Sequence, residues 1–475
     1  MMPFNRTKIV ATMGPATQSK SVLEQMVREG LDIARINFSH GNYDSVAEII
    51  KTIRQINKEQ KVHIGVLADL QGPKLRIGEM DQGFAEIEKG AMLVLTTATC
   101  IGTKDRIAIH YPKFPSDVKE GEIILIDDGK IQLQVRQVQN SEEVLCKVIV
   151  GGKVASRKGV NLPNTNITLP SLTEKDLKDL EFAISHEVEW IGLSFVRSAE
   201  DIRHLRRTMQ AKQYNGKIIA KIEKPEAIRQ MDEIISEADA VMVARGDLGV
   251  ELPMEQVPLH QKTIVQKCIQ ASKPVIIATQ MMESMITNYT PTRAEVNDVA
   301  NAVMDGADAV MLSAETSVGA YPVKVIEIMR KIIEQVETHG SIYYKEKSPA
   351  QPGDTFITDN ICFNACSLAR QTQARAIISM TNSGYTAFRI SSHRPKASVL
   401  IFTDNNRLLT TLSLVWGVRG FYYNRYESTD QTIDDIKQFI KREGLVQTGD
   451  LVINIASMPM KDKGRTNMMK LSYIV

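Results

Sequence analysis

Eight short apolar runs divide most of the chain, and nearly every one ends in residues able to do chemistry. Ile9-Val-Ala-Thr-Met-Gly leads into Pro15, Ile33-Ala-Arg-Ile-Asn-Phe-Ser into His40, and Ile64-Gly-Val-Leu-Ala into Asp69. Trp190-Ile-Gly-Leu-Ser-Phe-Val ends at Arg197, Ile218-Ile-Ala-Lys-Ile at Glu223, and Val241-Met-Val-Ala-Arg-Gly at Asp247. Val275-Ile-Ile-Ala ends at Thr279, and Ala309-Val-Met-Leu-Ser-Ala at Glu315. Runs this short, with no polar alternation, read as strands buried on both faces of a parallel sheet. Most of the gaps between them read as amphipathic helices. The pattern predicts a (β/α)8 barrel, in which the C-terminal strand ends build the active site.

At 475 residues the chain is too long for one core, so two or three domains are expected. The 58 Lys and Arg residues nearly balance the 56 Asp and Glu residues, and no basic face stands out, which argues against a nucleic-acid partner. No apolar segment is long enough to span a bilayer, and Met-Met-Pro-Phe-Asn-Arg at the N-terminus lacks the apolar stretch of a secretory signal. Cys100, Cys146, Cys268, Cys362 and Cys366 include no Cys-x-x-Cys pair and read as reduced structural thiols. A cytoplasmic location is expected.

The predicted α/β fold has three parts. Residues 1–72 and 171–345 form the barrel. Residues 73–170 form an inserted all-β lid domain, rich in alternating Val, Ile and Thr, with a hairpin at Asp127-Asp-Gly-Lys. Residues 346–475 form a C-terminal open α/β domain after the linker Lys345-Glu-Lys-Ser-Pro-Ala-Gln-Pro-Gly-Asp. There the pattern predicts a helix over 407–416, strands over 398–402 and 421–423, and a last strand near 469–475.

Lys221-Ile-Glu223 and Arg245-Gly-Asp-Leu-Gly249 are the strongest local signals. Lys221 and Glu223 are two apart on one strand and share a face. With Asp247 on the next strand end, they offer a hard oxygen site suited to Mg²⁺, with a lysine where phosphoryl charge develops. Gly246 and Gly249 let backbone amides approach an anion. Any one of these residues alone is better explained by an ion pair or a turn; their joint placement at strand ends of one barrel reverses that preference. Arg35 and Asn37 share a face of the second strand, and the arginine fork suits phosphate or carboxylate. Asn37 and Ser39 read equally as turn formers or ligands, and His40 equally as a structural hydrogen-bonding residue or a ligand.

Along its whole length the chain resembles the pyruvate kinase family. The stretches that carry the resemblance are Arg35-Ile-Asn-Phe-Ser-His-Gly41, Lys158-Gly-Val-Asn-Leu-Pro163, Lys221-Ile-Glu223 and Ala244-Arg-Gly-Asp-Leu-Gly249, followed by Ala278-Thr-Gln-Met-Met-Glu-Ser-Met285, Pro291-Thr-Arg-Ala-Glu295, Asp298-Val-Ala-Asn-Ala302 and Ser313-Ala-Glu-Thr316, in the family's order. The resemblance implies phosphoryl transfer from phosphoenolpyruvate to ADP, giving pyruvate and ATP. It implies Glu223 and Asp247 as ligands of Mg²⁺ or Mn²⁺, and Lys221 as the stabiliser of the phosphoryl group. Arg35 and Arg76 contact that group, and amides near Gly246 and Asp247 hold the substrate carboxylate. Lys158 reaches the nucleotide, whose site also draws on the Met13-Gly-Pro-Ala16 turn with Pro15, on Asn37, His40 and Arg76. Thr279 positions the proton that converts enolpyruvate to pyruvate, and Ser313 and Glu315 match a proton relay. A homotetramer is also implied.

One segment departs from the potassium-activated pattern, Asp-Thr-Lys-Gly-Pro-Glu, by reading Asp69-Leu-Gln-Gly-Pro-Lys74. The resemblance is therefore to the potassium-independent branch: Asn37, Ser39 and Asp69 persist as a K⁺-site remnant, and the Lys74 ammonium replaces the cation. Thr381-Asn-Ser-Gly-Tyr-Thr386 suits a phosphate. By resemblance Thr381, Asn382, Ser383, Gly384 and Thr386 bind a phosphorylated effector such as a sugar phosphate or AMP, with Lys461, Lys463 and Arg465 as the opposite wall. Two other readings use the same residues: a Mg²⁺-dependent barrel lyase or aldolase acting through an enolate, and a catalytically silent metabolite sensor.

Overall fold

In a computed structural model, which describes residues 4–39, 42–165, 167–349, 353–425, 428–459 and 464–475, each of the eight apolar runs forms a strand. Lys8–Thr12, Ile33–Asn37, Gly65–Asp69, Trp190–Leu193, Lys217–Ile222, Ala240–Ala244, Val275–Ala278 and Ala309–Leu312 pair in parallel in chain order, and the eighth closes on the first. Alternate residues of each strand serve different cores. Val10, Ile33, Leu67, Ile219, Met242, Ile276 and Met311 fill the barrel interior, while Ile9, Ala34, Val66, Ile218, Val241 and Val310 pack outward against the helices. Both faces are dry, which is why the strands carry no polar alternation.

The barrel helices start where the sequence offers caps. Thr173 and Thr292 form capping boxes with Asp176 and Glu295, and Ser19 accepts from Val22 N. Gly30 and Gly306 end helices at φ +112° and +104°, a conformation that favours glycine.

Between the third and fourth barrel strands lies a six-stranded sheet with its own core, ordered Val160–Asn161, Ile123–Ile126, Ile131–Val138, Glu143–Val150, Met92–Thr96 and Arg106–Ala108. A two-stranded ribbon, Phe84–Ile87 with Gly152–Ala155, flanks it. The Asp127–Lys130 turn joins two of the strands, with Asp127, Asp128 and Gly129 all at positive φ. Two single turns of helix, the 3₁₀ turn Asp81–Gly83 and Phe114–Asp117, interrupt the strands of this domain.

The C-terminal domain is a five-stranded sheet ordered Val418–Tyr422, Ser398–Thr403, Ala376–Met380, Leu451–Ala456 and Met468–Tyr473, the last antiparallel. The helix expected over 407–416 stops at Thr411 and tightens into a 3₁₀ turn, Leu412–Leu414. The strand expected to start at 421 starts at Val418. Both shifts have one cause. The turn is drawn onto the barrel floor: Thr410 Oγ1 donates to Glu189 Oε1 at 2.8 Å, and Thr411 O accepts from Trp190 Nε1 at 3.2 Å. Among the described residues, no helix is long and apolar enough to cross a membrane.

Candidate active site

The polar layer of the barrel lies one inward-facing residue above the apolar one. Val10 is followed by Thr12, Ile33 by Arg35, Leu67 by Asp69 and Ile219 by Lys221, each two positions on and on the same face. These four side chains meet. Arg35 Nε and Nη2 reach Asp69 Oδ2 at 2.8 and 2.6 Å, and Arg35 Nη1 donates to Thr12 Oγ1 at 2.8 Å. Lys221 Nζ lies 3.1 Å from Asp69 Oδ1, 3.0 Å from Glu223 Oε1 and 2.6 Å from Ser194 Oγ. Its contact with Asp69 Oδ1 is an ion pair without hydrogen-bond alignment. Ser194 in turn donates to Leu70 O at 2.6 Å, and Phe195 N donates to Glu223 Oε2 at 2.6 Å.

Burial disfavours charge on Lys221, but Asp69 and Glu223 outweigh it and hold its pKa well above the usual lysine value. The ammonium is therefore permanent at working pH. Asp69 is buried too, yet Lys221 and Arg35 keep its carboxyl below the usual range. Glu223 goes the other way. Burial and the nearby Asp247 raise its pKa, against the opposing pull of Lys221 and of the Phe195 amide. Two carboxylates that repel each other, one buried and Asp247 about one-third exposed, fit a divalent cation that would relieve both. Among the described residues no cluster of three or more His, Cys, Asp or Glu side chains is placed to hold a metal ion.

Thr279 and Gln280 end the seventh strand at φ +69° and +56°, strained for residues bearing a Cβ. The strain is held by Arg245, which donates to Thr279 O at 2.7 Å and forks onto Asp298 with two contacts of 2.7 Å. Thr279 Oγ1 accepts from Gly246 N at 2.7 Å and donates to Ala278 O at 2.6 Å. Gly246 N, expected to meet a substrate carboxylate, is thus engaged by Thr279 here. Glu315 is buried, and its two oxygens accept from Ser313 N at 2.6 Å and Met282 N at 3.2 Å, tying the last two strand ends together. Gly14 has no room for a side chain, since a Cβ there would lie 2.6 Å from Ser317 O; this seats the Pro15 turn against the helix Ala314–Ser317.

The remaining predicted residues sit at the rim. Lys74 Nζ lies 4.0 Å from Asp247 Oδ1. Arg76 makes an isolated antiparallel bridge with Gly159 of the lid domain and donates to Arg157 O at 3.1 Å. Lys158 pairs with Asp127 of the lid hairpin at 2.8 Å. Asn37 Oδ1 accepts from Ser39 N at 3.1 Å, a turn closure. His40 lies outside the described residues, as do Lys461 and Lys463. In the C-terminal domain, Thr381, Asn382, Ser383, Thr386, Asp404 and Arg465 line a cavity of about 410 Å³. Gly384 closes the turn at φ +83°, where a Cβ would meet Leu408 Cδ1 at 2.6 Å, and its amide donates to Thr381 Oγ1 at 3.0 Å. Thr386 is buried and its hydroxyl is shared with Ser379 at 2.9 Å, so it braces the turn.

Sequence reasoning missed Thr12, Ser194, Asn161, Lys224 and Glu251. Thr12 and Ser194 sit at strand ends and were open to the same rule that found Lys221. The other three have no such signal.

Residues 4–326 match the family described as "Pyruvate kinase, barrel domain", and residues 359–472 match "Pyruvate kinase, alpha/beta domain". The chain is 41% identical to a pyruvate kinase of Geobacillus stearothermophilus, over 99% of this chain and 80% of that relative. It is also 41% identical to a pyruvate kinase of Mycobacterium tuberculosis (strain H37Rv), over 99% of this chain and 98% of the other. The crystal structure of a pyruvate kinase from Cryptosporidium parvum superposes with a TM-score of 0.91 at 33% identity, covering 99% of this chain and 96% of that one. With barrel and α/β domains both matched and relatives aligned end to end, the chain belongs to the pyruvate kinase family.

Proposed function

We propose that the chain transfers the phosphoryl group of phosphoenolpyruvate to ADP, giving pyruvate and ATP, the last step of glycolysis. The observation that carries this reading is the buried Lys221 ammonium, held charged between Asp69 and Glu223 and beside Asp247. Fixed positive charge at that point stabilises a phosphoryl group as it leaves the enol oxygen, without reorganisation cost. Arg35, oriented by Thr12 and Asp69, contacts the same group, and Arg76 approaches from the lid. Glu223 and Asp247 would hold Mg²⁺ or Mn²⁺, which would supply positive charge to the enolate and phosphoryl group. The amides of Gly246 and Asp247 receive the substrate carboxylate; for Gly246 this requires exchange of its bond with Thr279 Oγ1. Freed in that exchange, the Thr279 hydroxyl positions the proton for enolpyruvate, with Ser313 as an ordered relay member held through its amide by Glu315. Lys158 swings from Asp127 to the nucleotide, whose site includes Pro15, Asn37 and His40.

We place the domain boundaries after residues 72, 170 and 345, assign the chain to the potassium-independent branch, and expect a cytoplasmic homotetramer. In support of the branch, Asp69 is already engaged by Arg35 and Lys221, and Lys74 brings its own ammonium to within 4.0 Å of Asp247. Pyruvate formation should therefore reach full rate with Mg²⁺ in K⁺-free buffer, and Lys74→Glu should make the rate depend on K⁺ by about tenfold or more. Activity of the parent chain only after adding K⁺ would keep the reaction and discard the branch. No turnover in either buffer, with effectors present, would favour the lyase or sensor readings.

The 410 Å³ cavity of the C-terminal domain, lined by Thr381, Asn382 and Ser383, suits a phosphorylated effector, a sugar phosphate or AMP, with Gly384 closing the turn beside it. Calorimetric titration of glucose 6-phosphate and of AMP should show binding that Thr381→Glu abolishes by like-charge repulsion. If neither ligand binds the parent chain, the turn is a helix start and nothing more.

A further inference from the structure

Behind the metal carboxylates, three side chains from three parts of the molecule meet in a buried contact. Lys224 Nζ and Glu251 Oε1 are 2.6 Å apart, with side chains only 8% and 0% exposed. Asn161 Nδ2 donates to the same Glu251 oxygen at 2.8 Å. Glu251 Oε2 has no hydrogen-bonding partner among the described residues. A buried carboxylate compensated through one oxygen by two donors is weakly stabilising at best, and an apolar trio of equal volume would do as well. What the polar trio supplies is registry, because it forms in one geometry only.

Each member is tied to a functional segment. Lys224 directly follows Glu223. Glu251 closes the short helix Arg245–Glu251, one turn after Asp247. Asn161 ends the two-residue lid strand Val160–Asn161, and Lys158 lies two residues before that strand. The segment is held by backbone bonds, Ile77 N donating to Lys158 O and Val160 N to Leu75 O, both at 3.0 Å, while Asn161 pairs with Leu125. Displacing Asn161 therefore displaces Lys158.

We propose that Glu251 is a positioning residue. It latches the lid segment 158–161, which carries Lys158, to the turn carrying Glu223 and the short helix carrying Asp247, so that nucleotide and metal groups come into register together. The inference rests on the phosphoryl-transfer reading of Lys158, Glu223 and Asp247.

The test exchanges amide and carboxylate across the contact. Asn161→Asp sets a carboxylate against Glu251 and should raise KM for ADP by about tenfold or more, with KM for phosphoenolpyruvate within about twofold. Glu251→Gln leaves Lys224 buried without its counter-charge and should weaken Mn²⁺ binding, read from free Mn²⁺ by electron paramagnetic resonance, by about tenfold. The double variant restores one carboxylate, one amide and one ammonium, and should return both quantities to within about threefold of the parent. Hydrogen exchange over residues 156–162 reads the latch without turnover, faster in each single variant and restored in the double. Asn161→Ala, which adds no charge, gives the same signature at smaller size should Asn161→Asp not fold. Unchanged ADP affinity and lid exchange in the Asn161 variants, or a double variant as impaired as the product of the singles, would overturn the latch. Parent protein that fails to turn over would instead end the functional reading, while exchange and Mn²⁺ binding still decide the latch.

Discussion

Lys221→Met should lower kcat by about 10³-fold or more while leaving KM for phosphoenolpyruvate within about tenfold. The methionine fills the same space, so the barrel keeps its packing and loses only the charge. In the parent, Lys221 touches Ser194, Asp69 and Glu223 within 3.1 Å. Its charge costs no rearrangement when the phosphoryl group moves, because two carboxylates already hold it in place. Removing it withdraws stabilisation from the transition state more than from bound substrate, which is why the loss belongs in kcat. Lys221→Arg should not rescue. The guanidinium fork is larger, and Ser194, Asp69 and Glu223 bound a space shaped for an ammonium. Steady-state kinetics alongside Mn²⁺ binding is the check. A kcat within tenfold of the parent would remove Lys221 from the chemistry and leave it a structural ion pair.

Arg394→Met should lower the stability of docking between the C-terminal domain and the barrel by about 3–5 kcal/mol. Arg394 adopts φ +50° and is almost wholly buried. Its guanidinium forks onto Asp308 at 3.0 and 2.9 Å, donates to Gly306 O at 2.8 Å and stacks 4.8 Å from the Trp416 ring centroid. Asp308 precedes the eighth barrel strand and also accepts from Val275 N at 3.0 Å and Trp416 N at 3.3 Å. Removing the cation strands that carboxylate in the interior. The variant should show an early unfolding transition, with the C-terminal domain releasing before the barrel, so calorimetry rather than a single two-state fit is the appropriate measurement. Arg394→Lys keeps the charge but loses the fork and should fall between the two. A variant that melts with the parent, within about 0.5 kcal/mol, would show that the other contacts of this interface, the bonds of Thr410 to Glu189 and of Trp190 to Thr411 among them, carry it without Arg394.

Strand ends were legible in the sequence because of how a barrel buries its strands. With both faces dry, the apolar run stops where the strand leaves the core, and the next inward-facing side chain is free to be polar. That rule found Arg35, Asp69, Lys221, Glu223, Asp247, Thr279 and Glu315. It does not reach Lys224, Glu251 and Asn161. Their contact joins a turn, the end of a short helix and a lid strand far apart in the chain, and each reads alone as an ordinary surface residue. The helix expected over 407–416 erred for a related reason. Its periodicity continues, but Glu189 and Trp190 of the barrel capture Thr410 and Thr411 and end it early.

Local sequence thus determined the barrel, the inserted β domain and the identity of the groups at the barrel mouth, since strand burial, turn chemistry and helix caps are properties of neighbouring residues. Closure of the barrel and seating of the lid decided everything that depends on distance. They set which carboxylates hold Lys221 charged, the opposite shifts of Asp69 and Glu223, the engagement of Gly246 by Thr279, and the distance of Lys74 from Asp247. Charge interactions vary with separation and burial, and neither quantity exists until segments remote in sequence are packed against one another.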